Sequence, residues 1–320
     1  MNILVIYCTS EEKEIADKIC THFQRLGHDI HVRKITEQVE LLNCDYAICI
    51  MPIPVFIRKF SKSLKNKFED PGIVLIDPCC RYVIPLIGIH TKGAYDIALE
   101  LADLLKLELI DTSRHPPYKC VEYMMFKLWL RPVKLKRICK VDIDECTIGT
   151  DSEQICYIAK KYFNANIELV KDLQKCSKYD IVIVSSSASV STVQNVVFLK
   201  QELILGVGVC SLANIKDIEG LAQYAAYLSF TVPERFDKIV MPKHASSSVI
   251  SYFKKYTPYS SVYLVNVNEM LSTENSAVCE SLIRYKVPNA RIIVHKQKFS
   301  AHATFAVGIY DPWNKHILNE

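Results

Sequence analysis

The chain has 320 residues, of which 50% are apolar and 23% charged, with a formal net charge of +4. That length holds two or three domains with cores of their own, and the composition excludes a disordered chain. No block of like charge marks a nucleic-acid footprint, no apolar run approaches the roughly 18 residues of a membrane helix, and the apolar start is too short for a signal-peptide core. The expectation is a cytoplasmic protein with neither nucleic acid nor membrane as partner.

Residues 2–7 read as a strand, and Thr9 with Glu12 supplies a capping-box start for a helix ending near Gly27. Strands follow at 31–35 and 46–51, then a basic helix over about 55–67. Segments 73–77 and 82–89 flank the turn Pro78-Cys-Cys-Arg81 and are predicted to pair as a hairpin beside an otherwise parallel sheet. A helix over about 93–106 and a strand at 108–110 complete a first domain, with Ser113-Arg-His-Pro-Pro117 as its linker.

The middle of the chain opens with an aromatic-rich helix over 118–130, stopped at Pro132, and continues through a strand at 140–143 and a helix at 152–163. A buried strand at 181–184 then meets Ser185-Ser-Ser-Ala-Ser-Val-Ser191. A last unit runs strand 203–209, helix 214–227, strand 238–241, helix 248–255, strand 262–267, helix 276–284, strand 291–295 and strand 303–309, the last at or near a sheet edge. The strand and helix alternation gives an α/β class: several doubly wound, mostly parallel sheet domains of three-layer αβα type, with a less regular middle segment. The boundaries read as 1–115, 116–200 and 201–320.

Thirteen cysteines are scattered, with no Cys-x-x-Cys pair and one adjacent pair, Cys79-Cys80. This reads as buried thiols, with no metal site and no disulfide framework. Gly206-x-Gly208 follows a strand but lacks the third glycine and the acid of a dinucleotide loop, and no Walker loop, Gly-x-Ser-x-Gly elbow or His-Glu-x-x-His motif is present.

The richest stretch is Arg81-Tyr-Val-Ile-Pro-Leu-Ile-Gly-Ile-His90-Thr-Lys-Gly93-Ala94, where an apolar run ends in a titratable side chain just before a helix. His90 there is either a general base held neutral by the helix dipole, with amides near Gly93 receiving an oxyanion, or simply a cap of the helix. Arg58 and Lys62, one helical turn apart, can hold a carboxylate or be solvated helix charge. Lys243-His244 and His295-Lys296-Gln-Lys298 place cations at strand ends, to contact a polyacid or to protect an exposed sheet edge.

Several motifs in register resemble the cobalamin biosynthesis protein G (CbiG) family: Met51-Pro-Ile-Pro-Val-Phe-Ile-Arg58, Lys65-Asn-Lys67, Asp70-Pro71, Ile73 to Asp77, Arg81 to Leu86, and His90-x-x-Gly93-Ala94. Further on, Leu205-Gly206-Val-Gly208, Ile218-Glu219, Lys243, Ala277-Val-Cys-Glu280, Val294-His-Lys296 and Ala303-Thr304 resemble the C-terminal domain shared with the cobalamin biosynthesis protein E family. The chain departs from the pattern where Val209-Cys210-Ser211-Leu212 replaces a Cys-Arg-x-Gly run, and where Tyr95 replaces an asparagine.

The resemblance implies a cobalt-precorrin-5A hydrolase that opens the ring-A lactone and releases acetaldehyde, giving cobalt-precorrin-5B in the anaerobic route to vitamin B12. It implies His90 as base, the Gly93 and Ala94 amides as oxyanion donors, and Arg58, Arg81, Gly206, Gly208, Lys243, Glu280 and Lys296 as substrate contacts. No cofactor is expected beyond the cobalt carried by the tetrapyrrole substrate, and other enzymes of the pathway are possible partners. A non-catalytic tetrapyrrole-binding or scaffold protein of the pathway, and an unrelated α/β enzyme acting on a small anion, are the alternatives.

Overall fold

The structure is a computed structural model that describes residues 1–37, 39–134, 142–172, 176, 178–185, 196–267 and 278–311. The chain divides into two units, Met1–Phe126 and Lys127–Glu320.

The first unit runs β1 (Asn2–Tyr7), α1 (Ser10–Arg25), β2 (Asp29–Lys34), β3 (Tyr46–Ile50), α2 (Ile53–Phe60), β4 (Gly72–Ile76), β5 (Tyr82–Ile87), α3 (Ala94–Leu105), β6 (Glu108–Leu109) and α4 (Val121–Lys127). Its sheet has the order β2-β1-β3-β4-β5-β6. Strands β1 to β4 are parallel, and β3 and β4 are buried along their whole length, as apolar strands covered on both faces must be. The capping box forms as predicted: Thr9 accepts from the Glu12 amide, and the Glu12 carboxylate, only 5% exposed, accepts from the Cys8 and Thr9 amides at 2.6 and 2.9 Å.

The predicted hairpin is present, with β5 antiparallel to β4 and parallel to β6. Asp77 builds its turn, accepting from the amides of Arg81 and Tyr82 at 2.7 and 2.6 Å. The reversal decides where the chain goes next. β5 starts at the carboxyl edge of β1, β3 and β4 and ends beside Gly72, the first residue of β4, so the loop that carries His90 lies at the amino edge of the parallel strands.

The second unit holds β7 (Leu130–Lys134), β8 (Ile148–Thr150), α5 (Glu153–Phe163), β9 (Ile167–Leu169), β10 (Ile181–Val184), β11 (Val196–Lys200), β12 (Glu202–Val209), α6 (Ile215–Ile218), α7 (Leu221–Leu228), β13 (Lys238–Pro242), α8 (Ser247–Tyr256), β14 (Ser261–Val265), α9 (Val278–Lys286), β15 (Arg291–Lys298) and β16 (Ala303–Tyr310). They form two sheets, β7-β11-β10-β8-β9 and β14-β13-β12-β16-β15. In the second sheet β12, β13 and β14 are parallel and β16 runs against β12. The fold is therefore α/β with mostly parallel, helix-covered sheets, as the alternation predicts.

A buried ion network ties this unit together. Arg235 is fully buried and donates to the carbonyls of Leu128 and Gln201 and to Asp237 Oδ2, while Lys200 pairs with Asp237 Oδ1 at 2.6 Å. The carbonyls satisfy the guanidinium donors that the carboxylate leaves over, which is the condition for burying an arginine at all.

Three expectations change. The helix predicted over 118–130 is only Val121–Lys127, because Trp129 takes a left-handed φ of 51° and the chain leaves as β7. Pro132 is tolerated because β7 is an edge strand, where a missing N–H can face away from the ladder. The basic helix ends at Phe60, and the helix over 214–227 is two helices broken at Gly220, φ 83°. The last strand lies near the sheet edge as expected, one position inside it, with β15 at the edge. The first half of the strand predicted at 140–143, all but the first of Ser185 to Ser191, and the start of the helix at 276–284 fall outside the described residues, and Ile143 opens a 3-10 turn where the strand was expected to end.

Candidate functional site

The loop from Gly88 to Gly93 is a short knot built on two glycines. Gly88 takes φ 68° and its carbonyl receives the amides of both Lys92, at 3.0 Å, and Ala94, at 3.2 Å. Gly93 caps α3 at φ 72°, and a Cβ placed on it would lie 2.2 Å from Phe126 Cζ. Thr91 ties the loop to the preceding segment by donating to the Lys67 carbonyl at 2.8 Å. Backbone hydrogen bonds and a covering ring thus hold His90 in one place.

His90 stands half-buried in this loop with Nε2 3.7 Å from the sulfur of Cys120, a thiol with no exposed surface. The same sulfur lies 3.6 Å from the Pro116 carbonyl and 4.0 Å from that of His115. Burial lowers the His90 pKa, outweighing the carboxylates of Glu122 and Asp111 and the His115 carbonyl, which pull the other way. The imidazole is therefore neutral at neutral pH and able to accept a proton. The direction matches the prediction from the helix dipole; the main cause is desolvation.

Around it the second layer is closed by paired groups. Lys67 bonds Glu122, and Tyr123 donates to Asp96 at 2.9 Å, with burial, first, and Asp96 pushing the phenol pKa up. Tyr95 has its phenol pKa raised by burial and then by Asp111.

The other predicted residues of the first unit do not complete this arrangement. The Ala94 amide is spent on the Gly88 carbonyl, so as placed it cannot donate to an oxyanion. Arg81 is exposed at the carboxyl edge, 3.7 Å from Asp77 and over the Tyr82 ring, at the other end of β5 from His90. Arg58 is an exposed residue of the last turn of α2.

In the second unit, Gly206 and Gly208 are packing positions. A Cβ on Gly206 would lie 2.2 Å from the Cys279 carbonyl oxygen in the first turn of α9, and one on Gly208 2.6 Å from Thr304 Oγ1. Glu280, beside Cys279, accepts from the Lys296 amide at 2.9 Å and lies 3.3 Å from His295 Nδ1. Lys243 is exposed just past the carboxyl end of β13, and Lys296 is exposed on β15. The antiparallel register brings the end of β15 beside the end of β12, with both Lys298 and Gly208 opposite Thr304. These cations therefore share one edge of one sheet, the edge where open α/β sheets receive ligands.

That edge also carries a pair which nothing in the sequence signalled: Cys210 Sγ lies 3.3 Å from His302 Nδ1, across 92 residues of chain. The Cys120 contact with His90 was equally hidden, since neither cysteine belongs to a local motif. Among the described residues no three His, Cys, Asp or Glu side chains converge to hold a metal ion.

Residues 37–115 match the family model described as Cobalamin synthesis G N-terminal. The matched segment contains Arg58, Arg81, His90, Gly93 and Ala94. The fold is similar to a crystal structure of a cobalamin biosynthesis protein G homologue from Sulfolobus solfataricus, with 21% identity, 97% of each chain covered and a TM-score of 0.55. No curated protein matches the chain. The similarity to the cobalamin synthesis G N-terminal family thus falls on residues 37–115, the segment that builds the His90 loop.

Proposed function

We propose that this chain is a hydrolase of cobalamin biosynthesis that opens the ring-A lactone of cobalt-precorrin-5A, with release of acetaldehyde and formation of cobalt-precorrin-5B. The observation that carries the reading is the coincidence of two independent features on one loop. The family-matched segment contains His90, and His90 is the half-buried imidazole whose pKa is lowered.

The chemistry asked of it is modest. A neutral His90 takes a proton from water as the oxygen attacks the lactone carbonyl, a step worth about 10²- to 10⁴-fold for a positioned base. The proton then passes to the departing ring oxygen, which leaves as a hydroxyl; loss of that hydroxyl proton forms the C=O of acetaldehyde as the carbon–carbon bond to the macrocycle breaks, and the bond's electron pair stays with the conjugated macrocycle, which takes up a proton. Cys120 and the loop hydrogen bonds fix the imidazole against rotation, so little ordering remains at the moment of reaction.

A second reading, a tetrapyrrole carrier without turnover, draws on the engaged Ala94 amide and on the absent Cys-Arg-x-Gly run. One experiment separates the two. The purified protein is incubated anaerobically with enzymatically made cobalt-precorrin-5A, aldehyde is trapped with a hydrazine, and the corrinoid is followed by mass. Acetaldehyde with a correspondingly lighter corrinoid supports the hydrolase; a bound, unchanged corrinoid supports the carrier; no binding refutes both.

A further inference from the structure

The pair Cys210 and His302 is built by the backbone. The ladder between β12 and β16 ends at Val209 opposite Ala303, and one step beyond it the Cys210 amide donates to the His302 carbonyl at 3.2 Å. This sets the two side chains on the same face of the sheet, the face that Gly206 and Gly208 present to α9. Ser300 accepts from the His302 amide at 3.1 Å and fixes the turn. Both side chains are exposed, and the turn closed by Ala213 donating to the Cys210 carbonyl holds Leu212 78% exposed beside them.

An imidazole and a thiol are donors to a borderline or soft metal, but two donors are too few to retain a free divalent ion, which asks for about four. They are enough for a metal whose equatorial plane is already filled, because such a metal lacks only an axial ligand. The geometry also says which atom is offered. His302 Nδ1 faces the sulfur, and among the described residues Nε2 has no protein partner. A ligating histidine is ordinarily oriented through its other nitrogen, and here Nδ1 lies 3.3 Å from Cys210 Sγ; a metal on Nε2 leaves the proton on Nδ1, which then donates to the sulfur.

We propose that His302 Nε2 is an axial ligand for the cobalt of a metallated tetrapyrrole, with Cys210 as the residue that orients it. The proposal rests on the reading of the substrate given above and adds a place for its metal. Coordination displaces an axial water, and no proton or electron leaves the protein. Leu212 lies against the macrocycle, and Lys243, Lys296 and Lys298 on the same edge meet its carboxylates.

The test uses the full-length protein with cobalt(II) cobinamide, a corrinoid whose axial positions hold only exchangeable ligands, under anaerobic conditions. Electron paramagnetic resonance of the wild type is expected to show each cobalt line split into three by one axial ¹⁴N. His302→Gln loses the splitting and His31→Gln, an exposed histidine of the first unit, retains it. Cys210→Ala keeps the splitting but weakens binding by about 10- to 100-fold, and Cys210→Ser recovers part of it.

An unsplit spectrum in the wild type, or splitting that survives in His302→Gln, overturns the proposal. The acetaldehyde assay is scored separately. Turnover without nitrogen splitting sinks the axial ligand and leaves the hydrolase standing, whereas splitting without turnover sinks the hydrolase alone.

Discussion

Gly93→Ala tests the account of the His90 loop at its tightest point, because two separable penalties meet there. The first is conformational: at φ 72° an alanine sits in the left-handed region, at a cost of about 1–2 kcal/mol. The second is steric. The new Cβ would lie 2.2 Å from Phe126 Cζ and 2.3 Å from Cε1, so the ring must move by more than an ångström, an overpacking cost of about 1–3 kcal/mol. Together they predict a loss of about 2–5 kcal/mol in the first unit.

Phe126→Leu withdraws the obstructing ring but not the backbone strain. The double variant should therefore recover the steric part alone, a coupling of about 1–3 kcal/mol in the mutant cycle. Native-state hydrogen exchange at the Ala98 and Leu101 amides of α3, both buried, reads the opening of this unit without assuming that the whole chain unfolds in one step. A loss below about 0.5 kcal/mol in Gly93→Ala, or no coupling to Phe126→Leu, would refute the reasoning that glycine is required there by both φ and space.

Three further outcomes follow from named contacts. His90→Gln is expected to reduce aldehyde release by about 10²- to 10⁴-fold with corrinoid binding kept; since the base works in its neutral form and burial lowers its pKa, wild-type turnover should rise with pH through a value below that of an ordinary imidazole and be flat from neutrality upward, and an acid limb above the ordinary value would contradict the burial. Asp237→Asn leaves Arg235 buried without its carboxylate and should cost about 3–5 kcal/mol in exchange at β12 and β13. Burial alone would raise the Asp237 pKa, but Arg235 and Lys200 carry it below the usual carboxylate value, so its stabilisation is present above the unfolded pKa and lost as pH falls through the lower folded one; the same scan with Asp237→Asn should be flatter in acid. Gly206→Ala drives a Cβ to 2.2 Å from a backbone carbonyl oxygen that no side-chain rotation can relieve, and exchange protection across β12 and α9 should fall by about 3 kcal/mol, with a loss under 1 kcal/mol speaking against the packing role.

The sequence made the alternation, the capping box at Thr9 and the hairpin between β4 and β5 legible because each has a local signature: apolar period, a hydroxyl three residues before an acid, and turn residues between two apolar runs. The three-residue strands Ile148–Thr150 and Ile167–Leu169 were not legible, since three residues carry no period and only the neighbouring ladder makes them strands. Pro132 misled in the opposite sense: read as a helix stop, it sits in an edge strand. His90 was found through its neighbours in the chain, but its partner Cys120 was not, and the Cys210 and His302 pair is created entirely by the β12 and β16 register.

Strand direction is what periodicity conveys least, and here it governs the site. An apolar run of six residues reads the same whether it is parallel or antiparallel, yet antiparallel β5 carries His90 to the amino edge and leaves Arg81 at the carboxyl edge, about 20 Å away at 3.3–3.4 Å per residue. Arg81 is moreover held by Asp77, the residue that builds the hairpin turn, which gives it a local task independent of any ligand. A substrate whose reacting ring reaches His90 is therefore gripped by Arg81 only if its periphery spans that distance. The charges that act on the base are instead the carboxylates of Glu122, which Lys67 pairs with, and of Asp111. Replacing Arg81 should accordingly disturb the hairpin more than turnover, whereas exchanging Lys67 and Glu122, each for the other's charge, changes the field at the imidazole and should shift the pH at which it works.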